Sequence, residues 1–575
     1  MMTLKTIETE VLVIGGGGAA ARAALEAHQA GAKVTLVVKG DFGLMGCRGS
    51  GATACGCRNS FNYFRRSETS VNPTDEDEAI FKRIIQAGLG MTDKHLVRVV
   101  MDNVVEAGSA LKKWGVMLGL PGSEIFSSEG PTVIVPMPAL ACVVRSYSEI
   151  TVRDRMMIVD LLIQDGKCVG AIGIDESSGE LFLFKAASTI LATGGNSQLF
   201  MLNFHPSCVT GDGYAMGYEA GAELMNMEFQ QMFTSIIYSI INSPRPDIAW
   251  GLYPKVRNVN GDEFIQSYLP QGVTLEECME QKALHNPFST RDASKCIEIA
   301  LVKEATAGRA NEHNAFYLDT TDPKIIPPRR QRWIDYLGRD YWSKENIEIS
   351  VLHHCSNGGL RIDENGQTTI PGLYAIGETA AGAYGADRLG GNMQASCHVF
   401  GVKAGKHAAA IAKSNSLPPV DDQIAENRLQ RIAALKKSRG DQKPFELTKI
   451  LKKTAWENLM LVRSKEGLIH FLSEVERIRG ILIPRLHIES TAELVEVLEL
   501  ENLLKVGEIM ANVALMRTES RGSHHRDDFP DRDDANWLQS IVVKKEAGEM
   551  QLSTRILDGD WEDKPGDLVE GVRWG

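Results

Sequence analysis

The sequence predicts an α/β fold that is organised around its N-terminal segment. An apolar strand at 11–14 leads into four consecutive glycines at 15–18. A helix then begins over 19–30, and a second apolar strand follows at 33–38. Strand, glycine turn, helix and second strand thus follow one another within about 30 residues, which is typical of a Rossmann-like dinucleotide-binding domain.

The glycine turn predicts a pyrophosphate site. A strand that turns this tightly into a helix directs free backbone N–H groups and the positive end of the helix dipole toward one point. Ala20 occupies the third small position of the G-x-G-x-x-G/A pattern, where a small side chain lets helix and strand pack. We therefore expect Gly15, Gly17, Gly18 and Ala19 to contact the cofactor.

The second strand argues against NAD and favours FAD. NAD sites usually end this strand with an acid that binds the ribose hydroxyls, whereas here it ends at Lys39 and the nearest acid is Asp41. The following segment, 47–57, is small and glycine-rich and permits close backbone approach to a ligand. A second contact of that kind suits the extended FAD molecule, so Lys39, Ser50 and Gly51 are predicted cofactor contacts.

Composition bounds the class of protein. The chain has 575 residues, 43% hydrophobic and 24% charged, which predicts a globular protein of two to four domains. Its net charge of −12 gives no electrostatic basis for nucleic-acid binding. We find no apolar run of about 18 residues and no apolar signal-peptide core, so we expect a cytoplasmic chain without direct membrane insertion.

The cysteines predict neither a metal site nor an iron–sulfur cluster in this chain. Ten cysteines are spread along it, and Cys55 and Cys57 are the only close pair. A single C-x-C without a second pair nearby is a poor ligand set for a metal or cluster. If electrons leave this protein through iron–sulfur clusters, another subunit must carry them.

Short motifs follow one another along the rest of the chain: ATGG 192–195, TGDG 210–213, FSTRD 288–292, YLD 317–319, HCSNGG 354–359, PGLYAIGE 371–378, GADRLGGN 385–392 and ESRG 519–522. They resemble the motifs of the succinate dehydrogenase/fumarate reductase flavoprotein superfamily, which also includes L-aspartate oxidase and the α subunit of adenylylsulfate reductase. The matches run in family order over almost the whole chain. The resemblance implies FAD contacts at Ala192, Thr193, Gly194, Asp212, Glu378, Arg388 and Asn392.

The resemblance also implies the domain order. An FAD-binding domain over 1–229 is interrupted by an α+β capping domain over 230–346 and resumes over 347–420. A C-terminal helical domain over 421–520 and an extension over 521–575 complete the chain. Apolar residues at three-and-four spacing predict a packing domain of three helices, and the charged segment from Ser523 is predicted to be an extended surface arm.

Three residues are predicted to be catalytic by this resemblance. In the family, hydride passes between flavin N5 and one carbon of an unsaturated dicarboxylate, and an arginine delivers the proton to the other carbon. That arginine is Arg291 here, and the sequence does not show which acid holds it, although Asp292 is adjacent. Arg388 resembles the arginine that clamps a substrate carboxylate, and His354 resembles the histidine that binds the other, with His353 beside it as the alternative.

Three departures from the family pattern bear on cofactor and substrate. No histidine occurs between His28 and His95, so FAD should be bound without a covalent link. The family's substrate-binding histidine in Q-F-H-P-T is replaced by Phe233. The Thr–Glu pair that normally follows has no clear equivalent, so we expect a substrate that is less polar or larger than fumarate.

The sequence therefore predicts an FAD-dependent oxidoreductase that exchanges hydride with a carbon–carbon bond next to a carboxylate. Its partners would be a small carboxylate and an iron–sulfur subunit in a hetero-oligomer that can reach a membrane. L-aspartate oxidase-like and adenylylsulfate reductase-like activities are alternatives on the same scaffold. An electron-transfer subunit without an organic substrate is a further alternative, although it would have no use for Arg291, His354 and Arg388.

Overall fold

A computed structural model gives the architecture of the chain. It describes residues 4–43, 75–115, 118–119, 133–134, 137–203, 205–238, 248–285, 287–319, 347–389, 392–414 and 417–557. The predicted cofactor contacts Ser50 and Gly51 lie outside these residues, as does the whole glycine-rich segment 47–57.

The described strands range from two to eleven residues in length. In chain order they are β1 (Leu4–Ile14), β2 (Val34–Val37), β3 (Leu118–Gly119), β4 (Val133–Ile134), β5 (Ile150–Arg153), β6 (Met156–Gln164), β7 (Lys167–Asp175), β8 (Leu181–Leu191), β9 (Leu224–Met225), β10 (Gln230–Tyr238), β11 (Val256–Arg257), β12 (Phe316–Leu318), β13 (Ile347–Ser356), β14 (Gly359–Leu360), β15 (Leu373–Ala375), β16 (Val462–Arg463), β17 (His525–Arg526), β18 (Ser540–Glu546) and β19 (Glu549–Arg555).

The helices are concentrated in the C-terminal third. In chain order they are α1 (Gly18–Gln29), α2 (Asp75–Ala87), α3 (Lys94–Lys113), α4 (Met137–Arg145), α5 (Asp212–Glu219), α6 (Leu275–Lys282), α7 (Lys295–Thr306), α8 (Asn392–Ser414), α9 (Asp422–Lys436), α10 (Pro444–Asn458), α11 (Lys465–Arg477), α12 (Thr491–Met516) and α13 (Asp534–Trp537). Short helical turns include a 3-10 turn at Gly377–Thr379 and a π turn at Ile478–Leu482.

A seven-stranded mixed sheet forms the first part of the fold. Its order is β5-β2-β1-β8-β7-β6, with β15 added to β8. β1, β2, β5, β8 and β15 run parallel, whereas β6 and β7 extend the sheet as antiparallel strands. Residues 11–14 are at most 4% exposed, as expected for a parallel strand that is buried on both faces. This sheet confirms the predicted α/β class.

The carboxyl ends of three parallel strands meet at one edge of this sheet. Leu191 pairs with Ile14 on one side and with Ala375 on the other. The loops that follow β1, β8 and β15 therefore lie side by side. Ligands of open α/β sheets bind at such an edge.

Helices α1 and α8 run parallel against this sheet. A Cβ on Gly401 would lie 2.9 Å from the Cβ of Arg22, and a Cβ on Gly405 would lie 2.6 Å from the carbonyl oxygen of Ala23. Because later residues of α8 face later residues of α1, the N-termini of both helices lie at the same end. The glycines allow the close approach of the two backbones.

A second, antiparallel sheet has the order β10-β13-β12-β11. Within it, Phe233 of β10 pairs with Leu352 of β13, and Gln231 pairs with Cys355. β10 belongs to the predicted capping segment and β13 to the predicted second part of the FAD-binding domain. The two segments thus share one sheet, and the domain boundaries at 229, 346, 420 and 520 stay predictions.

The prediction of three C-terminal helices is wrong, because α9 to α12 are four. The apolar spacing is continuous, and the ends are set by short polar caps. Pro444 lies in the first turn of α10, and Ser464 and Ser490 accept hydrogen bonds from the first turns of α11 and α12. Proline and serine are suited to these positions because the first N–H groups of a helix lack partners within it.

The prediction of an exposed arm from Ser523 is also wrong. Residues 523–526 are at most 3% exposed. Arg526 forms an ion pair with Asp528 at 2.7 Å and donates to the carbonyl oxygen of Ala514 at 2.7 Å. Charged side chains can be buried when they are paired in this way. Further on, β18 pairs with β9 inside a sheet of order β14-β9-β18-β19.

Within the described ranges, no helix combines the length and the apolar composition that a membrane crossing requires.

Candidate active site

The first turn of the fold leaves no room for side chains. Gly15 has a φ of +133°, and a Cβ there would lie 2.1 Å from the carbonyl oxygen of Ala192. A Cβ on Gly16 would lie 2.5 Å from Cγ1 of Val38. Glycine is therefore required at both positions, and the backbone before α1 stays accessible to a ligand.

The N-terminus of α1 has the properties of an anion site. Gly17 is its N-cap and supplies no side chain to accept from the first N–H groups. Those N–H groups, from Gly18 and Ala19 onward, carry the positive end of the helix dipole. Helix α8 begins at the same end with Asn392, whose Nδ2 donates to the carbonyl oxygen of Ala383 at 3.2 Å.

Lys39 and Asp212, both predicted cofactor contacts, belong to one charged cluster at the end of β2. The Lys39 Nζ lies 2.7 Å from a carboxylate oxygen of Asp212 and 2.7 Å from one of Glu499. Asn502 donates to the other oxygen of Asp212 at 2.9 Å. Burial lowers the pKa of Lys39, but the two carboxylates outweigh burial and hold the pKa above its ordinary value. The ammonium group is therefore charged.

The predicted contacts at 192–194 form a loop that is tied to the end of β15. The hydroxyl of Thr379 accepts from the backbone N–H of Gly194 at 3.0 Å and lies 3.1 Å from the carbonyl oxygen of the same residue. Gly194 has a φ of +79°. Within this loop, the carbonyl oxygen of Ala192 lies beside Gly15. The hydroxyl of Thr193 lies 3.4 Å from the hydroxyl of Thr379.

The side chain of Glu378 lies between two backbone segments at this edge. Its Oε1 accepts from the backbone N–H of Ser356 at 2.9 Å, and a Cβ on Gly195 would lie 2.3 Å from the same oxygen. Burial raises the pKa of Glu378 to about 7, against the opposing effects of the Ser356 hydrogen bond and Arg388. A carboxylate in this place is suited to accept hydrogen bonds from ribose or ribitol hydroxyls.

We expect Glu378 to make the stability of the FAD-free chain depend on pH. The folded state holds the Glu378 proton more tightly than the unfolded state, because burial raises its pKa from 4.5 to about 7. The associated stability is present below pH 4.5 and is lost as pH rises through 7, with a total change of about 3 kcal/mol. Urea unfolding of the native chain and of Glu378→Gln at pH 5 and pH 8 measures it.

The Glu378→Gln chain carries no titrating group there, so its advantage over the native chain should grow from pH 5 to pH 8. Parallel pH profiles of the two chains would contradict this assignment.

Arg291 is held by Asp387 and not by its neighbour Asp292. The Nη2 of Arg291 makes a close ion pair with Asp387, and its Nε donates to the hydroxyl of Ser289 at 3.0 Å. Asp292 lies 3.1 Å from Nε2 of His285 instead. The question that the sequence left open is therefore answered by a residue 96 positions away.

Gln231 joins the two arginines that the sequence singled out. Its Nε2 donates to Asp387 at 3.0 Å, and its Oε1 accepts from the Nη2 of Arg388 at 2.7 Å. The backbone N–H of Arg388 donates to the same oxygen of Asp387 at 2.8 Å. Both Asp387 and Gln231 are buried. One acid and one amide thus fix Arg291 and Arg388 in a single cluster.

His354 faces this cluster, whereas His353 faces away from it. Nη2 of Arg388 donates to Nε2 of His354 at 2.9 Å. His353, the preceding residue of β13, has its contacts away from Arg388, and the pairing of β13 with β10 shifts register at this point. Its ring contacts the hydroxyl of Ser197 at 2.9 Å and Oε1 of Gln230 at 2.9 Å.

The His354 ring accepts from Arg388 and is uncharged. Burial, and then the positive charge of Arg388, hold the pKa of His354 well below its ordinary value. Since Nε2 accepts the arginine hydrogen bond, Nδ1 carries the ring proton.

Two further side chains border the pair of Arg388 and His354. The ring of Phe233 meets that of His354 edge to face, with 5.0 Å between centroids and 67° between planes. The Sγ of Cys355 lies 3.2 Å from Nη2 of Arg388 and donates to Gln231 at 3.3 Å. Burial raises the pKa of Cys355 to about 11, so it is a neutral thiol. The site is therefore cationic on one side and apolar on the other.

Three residues in these clusters were given no role from the sequence. Asp387 directly precedes Arg388 in the sequence. Its contact with Arg291 was not predicted, because the two residues belong to distant segments of the chain. Gln231 was noted only for the histidine missing after it. Glu499 lies on α12, whose apolar spacing indicated packing, and nothing in the sequence connects it with Lys39.

The residues present fit a dinucleotide at this edge. The glycine turn before α1 has no side chain to fill the space at that helix end, and the N-terminus of α1 supplies positive charge toward a phosphate. Glu378 is placed to accept hydrogen bonds from sugar hydroxyls.

Comparison with known proteins agrees with this fit. The FAD binding domain family matches residues 10–393, and the fumarate reductase flavoprotein C-terminal family matches residues 448–564. An uncharacterised FAD-dependent oxidoreductase of Methanocaldococcus jannaschii is 30% identical over 561 residues, covering 94% of this chain and 96% of its own length. A subunit of the fumarate reductase (CoM/CoB) of Methanothermobacter marburgensis is 30% identical over 575 residues, covering 95% and 98%.

A solved structure of quinol fumarate reductase from E. coli supports the fold. It superposes with a TM-score of 0.77 at 23% identity and covers 98% of this chain and 99% of that one. FAD is thus the cofactor that the family shares and that this edge fits. The chain belongs to the succinate dehydrogenase/fumarate reductase flavoprotein family and is an FAD-dependent oxidoreductase of that type.

Proposed function

We propose that this chain exchanges hydride with a carbon–carbon bond of a carboxylate substrate and exchanges the matching electrons with an iron–sulfur subunit, which supplies them when the double bond is reduced and takes them up when it is formed. The observation that carries the proposal is the cluster of Arg291, Arg388 and His354. These residues come from three separate segments, and Asp387 and Gln231 join the two arginines in one buried network.

Arg388 and His354 are placed to bind the substrate. A guanidinium group suits a carboxylate because it offers parallel N–H donors, and the neutral His354 ring lies directly beside it. Their contact of 2.9 Å holds the two groups in a fixed relation. The substrate would therefore be held in one orientation, which is a large part of the rate acceleration in a two-reactant step.

Arg291 is proposed to donate the proton to the carbon that does not receive hydride. FAD, when bound, supplies hydride transfer at its N5 atom. An arginine has a reference pKa above about 12, so it can act as an acid only when it is held in place and reprotonated. The ion pair with Asp387 and the hydrogen bond to Ser289 hold it in place. Asp387 also touches Gln231, which extends the network toward Arg388.

An iron–sulfur subunit is the proposed electron partner. The chain matches the C-terminal family of fumarate reductase flavoproteins and a relative that is itself named as one subunit of a fumarate reductase. We propose a hetero-oligomer of the cytoplasm that reaches a membrane only through such partners. FAD is proposed to be non-covalent, because no histidine lies between His28 and His95.

The test is a reoxidation experiment. The purified FAD-loaded protein is reduced with dithionite without oxygen, and flavin absorbance is followed after addition of fumarate, a bulkier enoate or buffer. Reoxidation by either carboxylate supports the proposed reaction, and the two rates rank the substrates. Absence of reoxidation by every enoate would contradict it. Acid precipitation of the same sample should leave FAD in the supernatant if it is non-covalent.

An electron-transfer subunit without an organic substrate is the second candidate, and Phe233 is the observation that favours it. Phe233 is 3% exposed and lies against His354 where the family places a polar residue. In that case Arg291→Gln would leave electron flow to an artificial acceptor unchanged, and no enoate would reoxidise the flavin.

We expect Phe233→His to raise kcat/KM for fumarate about tenfold or more. A hydrogen bond to a charged carboxylate contributes about 1.5–3 kcal/mol, and Phe233 has no polar atom in its side chain to make one. Steady-state kinetics with fumarate and with a bulkier enoate measure the change. The matched control is Phe264→His, whose ring packs against Tyr268 and Phe316, and this variant should not favour fumarate. Equal changes for both substrates would mean that position 233 does not select between them.

A further inference from the structure

His398 is a buried polar residue that the proposed reaction does not use. It lies in the second turn of α8 and is 3% exposed. Neither of its ring nitrogens meets a hydrogen-bonding partner among the residues that the structure describes. A buried imidazole without a partner costs free energy, so its place in the fold calls for a physical reason.

The parallel packing of α1 and α8 places this ring at the start of α1. A Cβ on Gly18 would lie 3.6 Å from Cε1 and 3.8 Å from Nε2 of His398. One turn further, Gly401 of α8 meets Arg22 of α1, and Gly405 then meets Ala23. His398 is therefore level with Gly18, the first residue of α1, and borders the space before that helix end.

That space is suited to an anion. The free N–H groups at the start of α1 point into it, and Gly17 provides no side chain to cap them. The nearby Arg22 is not available to bind an anion at this end of the helix. Its guanidinium group is bound to Glu26 at 2.9 Å and to the carbonyl oxygen of Ala107 at 2.6 Å.

We propose that His398 donates a hydrogen bond to the FAD pyrophosphate at the N-terminus of α1. A neutral imidazole has one N–H to donate, and an anionic phosphate oxygen is a strong acceptor. Burial lowers the pKa of His398 to about 3, which keeps the ring neutral. The inference rests on FAD as the cofactor and is independent of the substrate chemistry proposed above.

This role predicts opposite effects of one substitution in the two forms of the protein. In the FAD-free chain, His398→Val replaces an unpaired buried ring by an apolar side chain, so the melting temperature should stay equal or rise. In the FAD-loaded chain the same substitution removes a hydrogen bond to a charged group. FAD should therefore bind at least about tenfold more weakly.

The experiment measures FAD binding and stability without turnover. Native protein, His398→Val and His398→Gln are prepared with and without FAD, and the Kd is taken from quenching of flavin fluorescence. Melting temperatures are recorded for both forms, and also with ADP, which carries the pyrophosphate but no flavin. The amide of Gln replaces the Nε2 donor, so His398→Gln should keep FAD binding within about threefold of native.

His407→Val on the same helix is the matched control. The Nδ1 of His407 contacts the hydroxyl of Tyr374 at 2.9 Å, far along α8 from the start of α1. It should lower the melting temperature equally with and without FAD and leave the Kd unchanged. The proposal is overturned if His398→Val binds FAD and ADP as the native chain does, or if it destabilises both forms equally.

Discussion

Replacement of Arg291 by Gln is expected to lower turnover about 10³-fold, the range found for loss of a general acid, while FAD remains bound. The substitution removes the group in the cluster that is proposed to deliver a proton. Arg291 contacts Ser289 and Asp387, neither of which is a predicted cofactor-binding residue. Steady-state turnover and the ratio of flavin to protein measure the two expectations.

Loss of the ion pair with Asp387 can also weaken folding, so a second variant is needed. Arg291→Lys keeps a positive charge beside Asp387 but removes the planar guanidinium group. We expect it to melt close to the native temperature and still to turn over slowly. Arg257→Gln, which affects a 37% exposed arginine paired with Glu263, is the control and should leave turnover unchanged. Native turnover in Arg291→Lys and in Arg291→Gln would exclude the proposed proton donor.

Replacement of Glu519 by Ala is expected to lower the free energy of unfolding by about 3–5 kcal/mol, as for other broken buried ion pairs. Glu519 accepts from Arg517 at 2.8 Å and from Arg521 at 2.8 and 2.9 Å. All three side chains are fully buried. The variant would leave two guanidinium groups in the interior with fewer acceptors. Urea unfolding of the FAD-loaded protein measures the change.

A surface pair provides the control for this prediction. Glu180 pairs with Lys5 at 2.7 Å, and their side chains are 47% and 53% exposed. Exposed pairs contribute less than about 1 kcal/mol, so Glu180→Ala should change stability little. Glu519→Gln keeps the volume of the side chain but removes its charge. Comparison with Glu519→Ala therefore separates the effect of the lost charge from the effect of the lost packing. If Glu519→Ala cost no more than Glu180→Ala, the buried network would not stabilise the fold.

The elements of the fold that have strong local signals were predictable. The glycines at 15–18 separate the first predicted strand from the first predicted helix, and the structure has β1, α1 and β2 in the predicted order. The number of C-terminal helices was not predictable from apolar spacing, because caps such as Ser490 end and begin helices without interrupting the pattern. Arg526 is buried because it pairs with Asp528. A count of charged residues in the sequence does not show which acid pairs with which arginine.

The candidate site also has a part that the sequence predicted and a part that it did not. Arg291, His354 and Arg388 were singled out by motif, whereas the difference between His354 and His353 lies in their contacts in the folded chain. The partners of these residues depend on contacts between distant segments, so Asp387 and Gln231 acquire their roles only when the chain is folded.

The C-terminal segment braces the loop that carries Arg291. The carbonyl of Gly522 accepts from the N–H of Thr290, beside Arg291, at 2.8 Å, and the N–H of Ser523 donates to Ala386 at 2.9 Å. During synthesis, the loop that holds Arg291 is complete long before its brace emerges from the ribosome. Shortened chains that end before this brace would retain the glycine turn and every predicted catalytic residue, but the loop that carries Arg291, the proposed proton donor, would lose its backbone contact with Gly522. Proteolytic removal of the segment should therefore lower turnover, although every predicted catalytic residue remains in the chain.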